Sequence, residues 1–325
     1  MDVRLALYEL VHRHALDRRA TGELLRLAGL AGEPPALALR LRRGTAGLAA
    51  ALVGLGTIFW IAANWDVLGR FGRFALLQGL IALACAAALW RPAARAPLAL
   101  LALLVTGGLF AYFGQTYQTG ADPWQLFALW GVLALPLAVA VRSDLLWTPW
   151  AAVAMAAVSL WVHAHTGHQW RVAPHDLPVH FFGWAAALAV VAALSPAASR
   201  LTGAGPWAWR TALTLSAVMI TATALGGLFH REVAPHYGLA LLLLAGTAAA
   251  LALPRFFDAY GLSALALALN TLLVAGLARV LFEGGGDTVG RLLILGLAAA
   301  ALLAATVSVV LRLSRRVPAA QGAVA

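Results

Sequence analysis

The sequence predicts an all-α fold, a polytopic bundle of about ten transmembrane helices that follows a short N-terminal cytoplasmic helical module. Three observations support this fold class. Hydrophobic residues make up 62% of the 325 residues and charged residues only 11%, and the mean hydropathy is +0.84. Soluble domains contain roughly 45–50% apolar and about 25% charged residues, so the composition excludes a water-soluble enzyme. Apolar runs of about twenty residues also recur along the chain, and each can cross a hydrocarbon core of about 30 Å.

The hydropathy pattern divides the chain into three predicted parts: a cytoplasmic helical module at 1–43, a transmembrane helix bundle at 44–313 and a cytoplasmic tail at 314–325. In the module, leucines at helical spacing predict two short helices, and Asp17 or Thr21 can cap the second one. The predicted spans lie at about 45–64, 73–90, 97–114, 124–141, 145–162, 179–195, 207–229, 236–253, 259–282 and 290–311.

The charged residues predict the orientation of these spans. All 23 residues of the Lys and Arg class are arginines. With the N-terminus in the cytoplasm, 17 arginines and seven acids fall inside, and six arginines and six acids fall outside. The net charge of +10 therefore lies entirely on the inner side, as the positive-inside rule requires. No basic surplus remains for nucleic acid, so we exclude that partner and predict that both termini are cytoplasmic.

The predicted spans lack the carboxylates that usually carry protons in proton-coupled transport. No acid and no histidine lies in the middle of a span, which argues against a proton-driven pump with a midplane acid. Arg279, near the outer end of span nine, is predicted to snorkel or to pair with Glu283 or Asp287, and a buried anion-binding guanidinium is the alternative. Phosphate-loop, HExxH, GxSxG and CxxC motifs are absent, so no enzymatic activity and no cofactor is indicated.

Two polar clusters at outer helix ends are candidate ligand-binding residues. The first closes span one and the second joins spans three and four; the members are Asn64, Trp65 and Asp66, and Gln115, Tyr117, Asp122 and Trp124. Since both clusters lie on the same predicted side, they can form one pocket for a small polar ligand or a lipid headgroup, with the indole rings as apolar walls. The alternative is an interfacial aromatic belt with ordinary helix capping.

Histidines form a third candidate site. Seven of the nine histidines fall on the predicted outer side, and four of them lie in or beside one connection: His163, His165, His168 and His175. Imidazoles suit Zn²⁺ or Cu²⁺, but a metal site needs three or four ligands that converge on one point. Solvated or interfacial histidines are the alternative interpretation.

Several of these segments resemble a known family. The run Gly54–Trp65 (GLGTIFWIAANW) resembles the first-span signature of the bacterial membrane family called "domain of unknown function 2157". The segment Gly114–Asp122, with the Leu126, Phe127, Trp130 and Pro136 positions after it, is similar to a second signature, and Asp287 with Arg291 resembles the start of the closing helix. The resemblance implies a bacterial multi-pass inner-membrane protein without an assigned activity. It also groups Asn64, Trp65, Gln115, Tyr117 and Asp122 as a shared feature.

These observations favour a transporter-like or ligand-binding membrane protein with an outward-facing polar pocket at the ends of spans one to four. Its partners are then the lipid bilayer and a small polar ligand or lipid headgroup. One alternative is a membrane-embedded enzyme that acts on a lipid-linked substrate and uses Asp66 or Asp122 as base. Another is a non-catalytic scaffold that organises protein partners, unidentified here, through its cytoplasmic helices.

Overall fold

The structure is a computed structural model that describes residues 3–28, 37–64, 69–117, 120, 122–167, 172–283 and 288–322. The described residues contain α-helices, two short 3₁₀ turns and no β-strand. The helices are α1 (Val3–Arg13), α2 (Arg18–Leu27), α3 (Leu37–Ala63), α4 (Arg70–Trp90), α5 (Arg95–Tyr117), α6 (Pro123–Val141), α7 (Asp144–His165), α8 (Leu177–Ala193), α9 (Ser199–Thr202), α10 (Pro206–Leu228), α11 (Pro235–Ala252), α12 (Ala259–Phe282) and α13 (Thr288–Gly322). The 3₁₀ turns are Pro92–Ala94 and Pro174–Asp176.

Ten helices of the described chain are long and apolar enough to cross a membrane, namely α3 to α8 and α10 to α13. Each overlaps one of the ten predicted spans, so the predicted fold class is confirmed. Large apolar side chains such as Phe59, Leu83 and Leu242 are more than half exposed along these helices. Contiguous exposed apolar surface of this kind belongs in hydrocarbon rather than in water, and a lipid bilayer is therefore the environment of the bundle.

The N-terminal module forms the two predicted helices, and α1 packs against α2. The carboxylate of Asp17 accepts the N–H of Ala20 at 2.7 Å, which satisfies one of the free donors at the start of α2. The predicted Asp17 cap is confirmed. Helix α3 begins at Leu37, so it extends beyond the predicted start of span one near residue 45.

The core of the bundle lies around α7 and α10. Helix α10 packs against α7, α8, α11 and α12, while α7 also contacts α5 and α6. Large buried side chains such as Trp147, Leu213 and Ile220 alternate with fully buried alanines such as Ala151 and Ala212. Small residues let helix backbones approach closely, which favours helix association in a bilayer. A second apolar cluster joins α3, α4 and α5, and α13 packs along α12.

Tryptophan side chains connect neighbouring spans by hydrogen bonds. The indole N–H of Trp130 donates to the carbonyl of Leu103 at 2.9 Å, and that of Trp150 donates to the carbonyl of Gly131 at 2.8 Å. A buried indole N–H needs an acceptor because hydrocarbon offers none. These bonds fix the contacts of α6 with α5 and α7.

Contacts between loops show that consecutive spans run in opposite directions. At one end, which we call the basic end, the connections after α6, α8 and α11 meet. Asp144 accepts backbone N–H groups near the start of α10, Arg142 donates to the carbonyl of Arg200, and Arg210 pairs with Asp258 at 2.6 Å. We call the opposite end the histidine end, because it carries the histidines of the predicted outer side. There, Arg279 donates to the carbonyl of Leu228. The alternation agrees with the predicted assignment of connections to two sides.

Candidate ligand-binding site

The first predicted polar cluster is described only at Asn64. This residue follows the last turn of α3, and its side-chain amide donates to the carbonyl of Trp60 at 2.9 Å. The amide therefore satisfies a free carbonyl at the helix end, as helix termini require. Trp65 and Asp66 lie outside the described residues.

The second predicted cluster is on the surface of the histidine end. Gln115 and Tyr117 are exposed in the last turn of α5. The Tyr117 ring packs on Phe113, with centroids 4.8 Å apart, and on Phe74 at 5.9 Å. This arrangement is typical of aromatic side chains at a membrane interface, and the phenol and amide groups remain accessible to a ligand.

Asp122 and Trp124 lie at the start of α6, where Asp122 occupies the cap position. The Trp124 ring lies 6.1 Å from the ring of His165, so the second cluster touches the histidine-rich connection. The indole N–H of Trp124 is buried and has no hydrogen-bond partner among the described residues. A pocket built from both clusters stays a prediction.

The candidate metal ligands are spread along the end of α7 and the connection that follows. The Nδ1 of His165 lies 2.8 Å from the carbonyl oxygen of Trp161, and His175 lies 3.4 Å from Asp176. His168 is outside the described residues. In the described part of the chain, no group of three or more His, Cys, Asp or Glu residues is placed to hold a metal ion. A site that includes His168 stays a prediction.

A groove of about 480 Å³ lies between α7 and α10 at the histidine end. Both helices line it with residues three or four positions apart, which places them on one face of each helix. Most of these side chains are apolar. The lining residues are Ala152, Met155, Ala156, Ser159, Val162, His163, Thr166, Val172, His180, Leu215, Val218, Met219, Ala222 and Thr223.

The polar groups of the groove are concentrated near its end. His163 and Thr166 belong to the end of α7, and His180 to the first turn of α8. On α10, the hydroxyl of Thr223 donates to carbonyls of its own helix and accepts the indole N–H of Trp184 at 3.1 Å. No charged residue lines the groove in the described chain. The groove therefore offers an apolar channel with an uncharged hydrogen-bonding end.

His180 contacts a second histidine, His236, which does not line the groove. The two rings meet edge to face, and the Nε2 of His236 lies 3.3 Å from the Nδ1 of His180. The same Nδ1 lies 3.0 Å from the carbonyl oxygen of Asp176. Because a carbonyl oxygen only accepts, we assign the hydrogen to Nδ1 of His180, which leaves its Nε2 as an acceptor.

The His180–His236 pair is deeply buried. His180 is 4% exposed and His236 is 0% exposed, and the Nδ1 of His236 has no hydrogen-bond partner among the described residues. The Nδ1 hydrogen of His180 can be shared between the Asp176 carbonyl and the Nε2 of His236, which fixes the orientation of the His180 ring. The pair thus presents one oriented acceptor nitrogen, the Nε2 of His180, to a ligand.

Sequence reasoning counted His180 and His236 among the outer histidines but did not select them. A signal was present, because both follow a proline at a helix start. Pro178 is at the second position of α8 and Pro235 at the first position of α11, and proline is favoured there. Histidines one turn or less beyond such prolines belong to the spans rather than to the loops.

Comparisons with known proteins cover part of the chain. No curated protein and no solved structure matches it. A family model described as "Predicted membrane protein (DUF2157)" matches residues 8–147. That segment contains the Gly54–Trp65 run and the Gly114–Asp122 segment on which the resemblance depends. The predicted resemblance is therefore confirmed over residues 8–147, the part of the chain that is similar to this family of predicted membrane proteins.

Proposed function

We propose that this membrane protein binds one amphipathic lipid with an uncharged polar head in the groove between α7 and α10. The observation that carries the proposal is the combination of apolar walls with an uncharged hydrogen-bonding end in a volume of about 480 Å³. Sites for small molecules typically measure roughly 300–1,000 Å³ and combine apolar walls with a few polar groups.

The length of the groove supports a lipid rather than a small polar solute. Its lining on α7 runs from Ala152 to Thr166, which corresponds to about 21 Å at the rise of an α-helix. That length is roughly two-thirds of a hydrocarbon core of about 30 Å. An acyl or prenyl chain fits along the groove, while the head reaches His163, Thr166 and the Nε2 of His180.

The arginine distribution supports the orientation of this site. If the basic end faces the cytoplasm, as the positive-inside rule favours, the groove opens to the outer leaflet of a bacterial inner membrane. Lipid binding at the histidine end is therefore the function that the geometry supports best.

Turnover of a lipid-linked substrate is the second candidate function. The Nε2 of His180 is an oriented acceptor beside the groove, and a neutral imidazole is the commonest general base. His236 would position it through the shared Nδ1 contact at 3.3 Å. This role would replace the predicted use of Asp66 or Asp122 as base.

The test is photo-crosslinking of a diacylglycerol analogue to the purified full-length protein, followed by mapping of the labelled peptides. We expect labels on α7 and α10, and at least about a fivefold loss of labelling in Ala222→Phe, because the larger ring fills the groove. Ala245→Phe is the matched control, since Ala245 is an exposed alanine of α11 outside the groove.

Three outcomes separate the possibilities. Equal labelling of both variants and the parent protein would contradict binding in this groove. Labelling lost only in Ala222→Phe, with the analogue recovered unchanged, supports lipid binding. If the protein converts the analogue and His180→Gln abolishes this conversion, the result supports the enzyme hypothesis. His236→Gln should then lower turnover while the lipid still binds.

A further inference from the structure

A second cavity, of about 1320 Å³, lies at the basic end of the bundle, opposite to the histidine end. It is enclosed by the start of the first span on α3, the start of α5 and the connection between α6 and α7. Its deeper wall is apolar and includes Leu48, Ala51, Leu100 and Leu104. Leu100 is 6% exposed, so this wall is continuous with the packed interior.

The mouth of the cavity is positively charged. Arg42 of α3 and Arg142 at the end of α6 both line it, and both are exposed. Arg142 donates through one terminal nitrogen to the carbonyl of Arg200 at 2.6 Å. Since a guanidinium has five N–H donors, most of the donors of Arg142 are left for a ligand.

The single acid of the described lining is Asp144. Its carboxylate accepts the backbone N–H groups of Gly205, Trp207 and Ala208 at 3.2, 2.9 and 2.8 Å. The carboxylate is thereby engaged with the positive N-terminus of α10. Two guanidinium groups and one carboxylate leave the described lining with a net positive charge.

We propose that this cavity binds an anionic phospholipid from the leaflet at the basic end. The phosphate would lie between Arg42 and Arg142, and one acyl chain would follow the apolar wall. Along α5 the lining runs from Ala96 to Leu104, which is about 12 Å of helix. Basic pockets between transmembrane helices on the cytoplasmic side are typical sites for anionic headgroups.

The location of the cavity distinguishes it from the groove at the histidine end. Its lining residues from Leu39 to Leu145 lie within the segment that matches the family model, whereas the groove between α7 and α10 lies beyond that segment. The two sites also differ in charge, because two arginines line the cavity at the basic end, whereas no charged residue of the described chain lines the groove. The proposed anionic site is therefore independent of the proposed function.

The experiment is native mass spectrometry of the detergent-solubilised full-length protein with phosphatidylglycerol and phosphatidylcholine of identical acyl chains. We expect the first phosphatidylglycerol to bind at least about tenfold more tightly than phosphatidylcholine. Arg42→Gln should weaken phosphatidylglycerol binding about fivefold, because that is what one basic side chain near the membrane surface contributes to the binding of an anionic lipid. The affinity for phosphatidylcholine should not change. Arg255→Gln is the matched control, because Arg255 is exposed at the same end but does not line the cavity.

A second pair of variants tests the acyl-chain path. Ala96→Trp should reduce the binding of both lipids, because Ala96 lines the cavity, while Ala86→Trp on exposed α4 surface should have no effect. Equal affinity for the two lipids, or equal losses in Arg42→Gln and Arg255→Gln, would overturn the proposal. Competition by millimolar inorganic phosphate as effective as that by the lipid would also overturn it, because the site would then bind a phosphate ion alone.

Discussion

We expect the substitution Asp144→Ala to destabilise the helix bundle by about 2–4 kcal/mol. Asp144 begins α7, but its carboxylate caps a different helix. Oδ1 accepts the N–H groups of Gly205 and Ala208, and Oδ2 accepts that of Trp207. The change removes a charge from the N-terminus of α10 and leaves three donors without their acceptor.

The magnitude follows from the number and kind of these bonds. A hydrogen bond to a charged group contributes about 1.5–3 kcal/mol. Three full contributions are not expected, because Asp144 is only partly buried and water can replace some of the lost contacts. Asp144→Asn should be intermediate, because the amide keeps one acceptor oxygen but places an NH₂ group against a backbone donor.

Thermal unfolding of the solubilised full-length protein, followed by tryptophan fluorescence, measures the effect. A loss of this size should lower the midpoint by roughly 5–10 °C. Ser143→Ala is the control, since Ser143 precedes α7 but its side chain makes no capping bond, and its midpoint should stay within about 1 °C. A midpoint for Asp144→Ala that equals the control would refute the assignment of Asp144 as the cap of α10.

Two further substitutions test helix packing, each by the same unfolding measurement. Gly107→Ala should cost about 1–3 kcal/mol of stability, because a Cβ would lie 2.5 Å from the Trp130 ring. At Gly79 a Cβ would have no atom within 4 Å, so Gly79→Ala should be neutral or stabilising by up to about 1 kcal/mol. Equal changes in stability for the two variants would contradict the close contact at Gly107. Asn270→Leu should cost about 0.6–1.7 kcal/mol by removing the 3.0 Å bond to Thr306, and a double-mutant cycle with Thr306→Val should show losses that do not add.

The spans and their alternation could be predicted from the sequence because hydropathy and arginine position act locally. A run of apolar residues identifies a span without knowledge of its neighbours, and the Asp17 cap involves a residue only three positions away. The polar contacts that organise the two ends could not be predicted in this way. Asp144 and Ala208 are 64 positions apart, and their contact depends on how α7 packs against α10.

The candidate site, too, could be predicted from the sequence only in part. The concentration of histidines on one predicted side was visible in the sequence, but the His180–His236 contact joins residues 56 positions apart. A histidine at a helix start can lie at the membrane interface or be buried, and here the packing of α8 and α11 against α10 decides between the two. Hydropathy also fails to show a groove, because an apolar residue that lines a cavity and one that faces lipid have the same pattern.

Arg279 provides a test that separates a structural from an anion-binding guanidinium. Its predicted pairing with Glu283 is confirmed at 2.6 Å, and its terminal nitrogens donate to the carbonyls of Leu228, His230 and Arg231. In the described contacts, the guanidinium therefore satisfies carbonyls at the end of α10 and in the residues that follow it. Its side chain is 15% exposed, whereas that of Glu283 is 60% exposed.

Arg279→Met should consequently lower stability by about 3–5 kcal/mol, because it leaves carbonyls and one carboxylate without their donor. Glu283→Gln should cost less than about 1 kcal/mol, since an exposed ion pair contributes little. Unfolding midpoints measured with and without sulfate distinguish the two roles. A structural arginine gives a large loss that sulfate does not change, whereas a parent protein stabilised by sulfate, together with an Arg279→Met variant of parental stability, would show that the guanidinium binds anions.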